Sequence, residues 1–265
     1  MISLEEIACV LREGEIDVEG RLPGASNATL RASCLLDGVE ISCVYKPRRG
    51  ERPLWDFPDG SLGHREVAAY LVSEQMGWDL VPVTVWREAG PFGPGMCQVW
   101  VDANDDDPPV DVVPFDRRPR DWKAIAEGDG VDGRPVALVH EDTRDLRRLT
   151  VLDAVINNAD RKGGHVLRRP DGGVAAIDHG LTFHEEPKLR TVLWGWAGEP
   201  LAGDELEALE RTAVLWSADG GVAPLSAFLS AREIRSTRAR LNDLLDTATF
   251  PVPDGMWPAL PWPAM

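Results

Sequence analysis

The chain has 265 residues, 43% of them hydrophobic, with a formal net charge of −16 at pH 7. That is enough apolar material for one large domain or two small lobes, and the negative charge argues against nucleic-acid or anionic-membrane binding by general electrostatics. No run of eighteen apolar residues and no basic leader with a cleavage site is found, so a cytoplasmic protein without stable membrane association is expected.

The opening stretch places Leu4, Ile7, Ala8, Val10 and Leu11 at helical spacing. "IDVEGRLPGASNATLRASCLLDGVEISCVYKP" then breaks into three short apolar segments, as expected of antiparallel strands, with Asp37-Gly38 as the sharpest hairpin signal. "GHREVAAYLVSEQMGW" reads as a helix that buries Val67, Tyr70, Leu71 and Met76 and stops at Gly77. "VPVTVWRE" and "GMCQVWVDA" follow as two more strands around a Gly/Pro turn. Cys9, Cys34, Cys43 and Cys97 lack any C-x-x-C pairing or zinc spacing, so they are expected to be reduced and mostly buried.

The Asp- and Pro-rich "NDDDPPVDVVPFDRRPRD" reads as a linker or exposed excursion, and between it and residue 142 no element is assigned. A boundary falls there, giving a sheet-rich unit over 1–102 and a mostly helical one over 103–265. In the second unit "DTRDLRRLTVLDAVINNA" predicts a helix ending at Ala159, with Leu146, Leu149, Leu152, Val155 and Ile156 inward. Two short strands flank Asp171-Gly172-Gly173, and helices are expected near 203–216, 223–231 and 232–246 before a Pro/Trp-rich tail that either straps the surface or moves freely.

The stretch "INNADRKGGHVLRRPDGGVAAIDHGLTF" raises the functional question. A helix delivers Asp160 to a loop, and a hairpin brings Asp178 back to the same end. Two converging carboxylates suit phosphoryl transfer: Asp160 as the base or orienter of an acceptor hydroxyl, Asp178 as the ligand of a metal that bridges nucleotide phosphates. Arg161 and Lys162 stand beside Asp160, where cations could stabilise the transferring group or attract an anionic acceptor. Asp153, further back on the helix, is expected to anchor the loop from inside.

These residues resemble the catalytic and metal loops of the phosphatidylinositol 3-/4-kinase-like branch of the protein-kinase-like fold. The likeness is strongest to the type II phosphatidylinositol 4-kinases and more distant to HipA-type serine kinases, with an actinobacterial-type group of kinase-like proteins as the nearest home. It rests on Asn158-Ala-Asp160-Arg161 and Asp178-His-Gly180-Leu181-Thr-Phe183 and spans roughly residues 15–185. The resemblance implies an α+β, two-lobed fold and an ATP-dependent transfer of phosphate to a hydroxyl of a soluble small molecule or a protein. Lys46 would hold the α- and β-phosphates, paired with Glu66 on the following helix. Ser26 and Asn27 would lie in the phosphate-covering loop, and Gln98, Val99, Trp100, Val101 and Asp102 along the adenine edge. The implied cofactors are ATP with Mg²⁺ or Mn²⁺. Where such kinases carry Asn as a second metal ligand the chain has His165, a softer donor that favours Mn²⁺. Two other readings stand beside this one. A pseudokinase would bind nucleotide and transfer nothing, and a metal-dependent phosphohydrolase would gather Asp160, His165, Asp178, His179 and His184 around one centre.

Overall fold

The computed structural model describes residues 2–24, 27–58, 61–217 and 219–265. Helix α1 (Leu4–Glu13) starts at a capping box in which Ser3 and Glu6 satisfy each other's backbone N–H groups. Strands β1 (Glu15–Arg21), β2 (Leu30–Leu36), β3 (Val39–Pro47), β4 (Thr84–Arg87) and β5 (Gly95–Val99) form one antiparallel sheet in the order β1-β2-β3-β5-β4. Asp37 and Gly38 both take positive φ, 49° and 82°, the turn whose twist matches a two-residue hairpin, so β2 and β3 pair in register from Leu36↔Val39 to Leu30↔Tyr45. One face of this sheet closes over α1 around Val10, Leu11, Ala32, Tyr45 and Val85.

Helix α2 (Leu62–Gln75) lies between that sheet and the rest of the molecule, which is why it buries more than one stripe. Val67 and Met76 are buried as expected, Tyr70 and Leu71 are only partly covered, and Arg65 and Glu66 are buried as well. Ala68, Ala69 and Val72 join the second, larger core.

The stretch read as a linker contains strand β6 (Val110–Pro114), and two further strands follow, β7 (Trp122–Asp129) and β8 (Pro135–Glu141). They form a separate antiparallel sheet ordered β6-β8-β7. β6 hides its single fully buried residue, Val110, and carries polar or half-exposed residues elsewhere, so its composition imitates a loop. β8 supplies the buried Ala137, Leu138, Val139 and His140.

Helix α3 (Arg144–Ile156) buries all five of its expected inward residues but ends three residues earlier than its sequence suggests. Asn157 adopts the left-handed conformation at φ 54° and caps it, and its side-chain amide then donates to the His184 and Glu186 carbonyls. Strands β9 (Val166–Arg168) and β10 (Val174–Ala176) make the expected hairpin. Helices α4 (Gly203–Ser217) and α6 (Ala231–Thr247) complete the large core around Trp196 and Trp216. After a short α5 (Asp219–Val222), the helix expected over 223–231 is only a 3-10 turn at Leu225–Ala227, and Ser230 opens a new helix with its own capping box.

The tail is seated rather than loose. Ala264 O accepts from Gly163 N at 2.8 Å, and Ala259 O accepts from Thr191 N at 3.1 Å and from Trp194 Nε1 at 2.9 Å. Among the described residues no helix is long and apolar enough to cross a membrane.

Candidate active site

Strand β3 and helix α2 each contribute one half of a partly buried ion pair. Lys46 Nζ donates to Glu66 Oε1 at 2.8 Å and, from the other side, to Asp178 Oδ1 at 2.9 Å. Burial opposes the charge on Lys46, but Asp178 and Glu66 outweigh it and hold the ammonium well above the ordinary lysine value. Burial acts on Glu66 with little relief, pushing its carboxyl up to about 7 against the pull of Lys46, and its Oε2 has no hydrogen-bond partner. Asp178 responds oppositely: the Lys46 charge holds it far below the usual carboxylate range, while its side chain remains 48% exposed.

Asp178 occupies the left-handed region at φ 59°, a conformation that aspartate tolerates better than most residues and that concentrates at functional sites. Its other oxygen, Oδ2, lies 3.3 Å from His165 Nε2. Burial pushes His165 down to about 4, so the ring is a neutral imidazole at neutral pH, free to act as a donor or a ligand. Its Nδ1 faces the Lys162 amide at 3.5 Å.

A cavity of about 490 Å³ opens between the first sheet and the β9–β10 hairpin. Lys46, Gln98, Val99, Trp100, Val101 and Asp102 line it from one side, and His165, Ile177 and Asp178 from the other. One N–H of the Gln98 amide donates to Thr84 Oγ1 at 2.7 Å. Val99 N and Trp100 N are committed to Val83 O and Ser42 O. The Trp100 ring packs under Arg31, with the guanidinium carbon 3.8 Å from its centroid.

Asp160 follows the end of α3, its amide donating to Asn158 Oδ1 at 3.0 Å. Burial and the nearby Asp178 charge raise its carboxyl, while Lys162, whose Nζ is 3.2 Å from Oδ2, pulls the other way. Lys162 therefore stands where the sequence suggested.

Arg161 does not. Its guanidinium is turned into the interior, fully buried, and forks onto Asp153 through Nε–Oδ2 at 2.8 Å and Nη2–Oδ1 at 2.9 Å. It also donates to Ile177 O at 2.9 Å and meets His179 Nε2 at 2.7 Å. An arginine with every edge occupied faces no ligand, and the chain uses it to join the Asp160 loop to the strand that leads into Asp178. Asp153 further binds Asn158 Nδ2 at 2.9 Å.

Asn27 is spent on architecture: its Oδ1 accepts from Arg52 N at 2.9 Å and it does not line the cavity. Ser26 lies outside the described residues. Sequence reasoning missed Arg65, whose signal was only its position beside Glu66. Buried on α2, it donates to Thr182 O at 2.8 Å and pairs with Glu233 of α6, so it holds the helix that carries Glu66 against the loop that carries Asp178.

The five residues of a phosphohydrolase centre do not converge. His179 is buried against Arg161, and His184 packs edge-on to Phe57 at 5.4 Å with its Nδ1 taken by Glu186 N. Among the described residues, the one grouping of three or more His, Cys, Asp or Glu donors close enough to share an ion is Cys34, Cys43 and Cys97.

An antiparallel sheet carrying a lysine, a helix carrying its glutamate, and a second half returning an aspartate to that lysine define a two-lobed protein-kinase-like fold. The solved structure of hydra Fam20 with sugar superposes with a TM-score of 0.56 at 13% identity, covering 92% of this chain and 88% of that one. No protein-family model matches. Protein Rv2133c of Mycobacterium tuberculosis (strain ATCC 25618 / H37Rv) is 48% identical over 266 residues, 96% of this chain and 94% of that protein, and the chain belongs to its family. Phosphatidylinositol 4-kinase gamma 6 of Arabidopsis thaliana is 30% identical over 173 residues, 57% of this chain; the match spans 26% of the plant protein's length.

Proposed function

We propose that the chain is an ATP-dependent phosphotransferase of the phosphatidylinositol 3-/4-kinase-like type, acting on a hydroxyl of a soluble small molecule or a protein. The observation that carries this reading is Lys46 Nζ bridging Glu66 and Asp178 at the wall of the cavity between the two halves. The partial likeness to a plant phosphatidylinositol 4-kinase supports the branch. The strongly acidic chain supports a soluble acceptor over an anionic membrane lipid.

The residues fit the groups such a reaction requires. Asp178 and His165 would hold a divalent cation, whose chemistry is to neutralise charge on the phosphate oxygens. Asp178 points into the cavity with half its side chain exposed, and the neutral His165 offers a lone pair without repelling a cation. Lys46 binds phosphate oxygens, kept charged by its two carboxylates, and Glu66 keeps the ammonium at the cavity wall. Val99 and Trp100 amides are occupied, so the adenine is received by the remaining backbone groups of the 99–102 stretch. Asp160 accepts the proton of the acceptor hydroxyl, its basicity increased by burial. Lys162, with Nζ 3.2 Å from Asp160 Oδ2, favours the ionised form of that carboxylate.

The test is incubation with γ-labelled ATP, with Mg²⁺ and with Mn²⁺, alone and with cell extract, for the wild type and for Asp160→Ala and Asp178→Ala. Label transfer or ATP consumption lost at least a hundredfold in both variants is expected, with nucleotide binding surviving in Asp160→Ala. Binding without turnover under both metals would select the pseudokinase, and absence of binding would end the nucleotide reading.

A further inference from the structure

The four cysteines look unrelated in the sequence, yet the sheet assembles three of them. Cys43 sits on the central strand β3; its cross-strand partners are Ala32 on β2 and Val99 on β5. Cys34 and Cys97 lie two residues from those partners and so share the face of Cys43. Their sulfurs converge, with Cys34 Sγ 3.7 Å from Cys43 Sγ and 4.0 Å from Cys97 Sγ, and the third pair within 4.8 Å. Metal–sulfur bonds of about 2.3 Å require sulfurs about 3.8 Å apart in a tetrahedral site and about 4.0 Å apart in a trigonal one.

A second observation concerns charge. Arg87, on β4, is buried, and its guanidinium donates only to the carbonyls of Leu11, Gly14 and Ala89 and to Cys34 Sγ at 3.6 Å. A buried cation surrounded by carbonyl dipoles needs a counter-charge, and among the described residues it makes no ion pair with a carboxylate. The sulfur cluster is the group in place to supply it.

We propose that Cys34, Cys43 and Cys97 form a structural site for one thiophilic divalent cation of the zinc type. Three thiolates and a divalent ion carry a net −1, which the Arg87 guanidinium cancels, so the loaded site places no net charge in the core. The three sulfurs are soft donors of the kind that select such ions over Mg²⁺ or Ca²⁺. Leu11 of α1, whose carbonyl lies 4.0 Å from Cys34 Sγ, closes the site from the helix side. All three cysteines are fully buried, so the ion is acquired as the sheet folds. It staples β2, β3 and β5, and β3 also carries Lys46. The site is independent of the kinase reading, and its test does not use phosphate transfer.

Full-length protein is unfolded with chelator and reductant, then refolded with zinc, with cadmium or with neither. One ion per chain is expected by mass spectrometry, with a sulfur-to-cadmium charge-transfer band and a melting temperature several degrees above that of the metal-free protein. Cys34→Ala, Cys43→Ala and Cys97→Ala should each lower bound metal at least tenfold, while Cys9→Ala, altering the exposed cysteine, keeps it. X-ray absorption on the wild type reads the sulfur count without any variant, and three sulfurs per ion are expected. Refolded protein that retains neither metal, an ion kept by all three variants, fewer than three sulfur ligands, or a Cys34–Cys43 disulfide in place of the ion would overturn the proposal.

Discussion

Arg161 and Asp153 are both fully buried and face each other through two parallel hydrogen bonds of 2.8 and 2.9 Å. The pair fastens the loop of Asp160 to α3, and the rest of the guanidinium reaches Ile177 O beside Asp178. Both proposed carboxylates thus hang from a single buried cation.

Removing either partner leaves an uncompensated charge in the interior. Asp153→Ala or Arg161→Ala should cost about 3–5 kcal/mol of stability by denaturant unfolding. Arg161→Lys should recover only part of that loss, since an ammonium cannot form the two-point fork. Equal stability of Arg161→Ala and wild type would remove the anchoring role.

Arg65 makes a different connection, from α2 to Thr182 O and Glu233. Losing it frees α2 to shift and carry Glu66 away from Lys46. Arg65→Ala should therefore raise the KM for ATP and lower kcat by tenfold or more, and Glu233→Gln should do the same more mildly. If nucleotide affinity is unchanged in both, Glu66 is positioned by other contacts.

Part of this was readable in the sequence and part was not, for physical reasons. Asp37-Gly38 has a demanding backbone requirement that few residue pairs meet, and the hairpin forms there. The α3 apolar spacing identified its buried face, yet its end was misplaced because Asn157 stops the helix through a left-handed conformation, where glycine is the usual signal. β6 shows its core only one residue, and an Asp/Pro-rich edge strand looks like a loop until β8 pairs with it. Asp178 could be singled out from its place after a hairpin, whereas Lys46 and Glu66 were reached through the kinase resemblance and carry no local signal of their own. The inward turn of Arg161 depends on Asp153 and on a carbonyl sixteen residues away, and the convergence of three cysteines depends on strand register. Both are tertiary facts with no local signature.

Buried histidines make stability depend on pH. Burial pushes His140 and His165 down to about 4 and His179 further below its ordinary value. The unfolded chain protonates these rings from about pH 6.5 downward while the folded chain does not, so the unfolded state binds more protons and stability falls as pH drops from 6.5 towards 4. Each ring should cost on the order of 1 kcal/mol per pH unit in that window. His140 offers the cleanest check, because it lies away from the cavity, with Nδ1 on Glu141 O and Nε2 accepting from Gly195 N. Melting temperatures between pH 7 and 5 should fall less steeply for His140→Gln than for the wild type. Parallel curves would mean that this ring is not kept neutral by folding.

His165 stands where the resembling kinases carry a metal-binding asparagine, and its Nε2 is 3.3 Å from Asp178 Oδ2. An imidazole nitrogen is a softer donor than an amide oxygen, and Mg²⁺ prefers oxygen in near-ideal octahedral geometry, so on the proposed ligand role the histidine would shift preference towards Mn²⁺. ATP turnover should run at least as fast with Mn²⁺ as with Mg²⁺ in the wild type. His165→Asn should reverse the order by restoring an oxygen donor, changing the Mn²⁺ to Mg²⁺ activity ratio several-fold. A ligand role predicts a further distinction: below about pH 4 to 5, where the ring gains a proton, the wild type should lose metal affinity that His165→Asn keeps. Strict Mg²⁺ preference in the wild type, with an unchanged ratio in the variant, would instead make His165 a hydrogen-bonding support that orients the Asp178 carboxylate, and the two roles separate on that ratio alone.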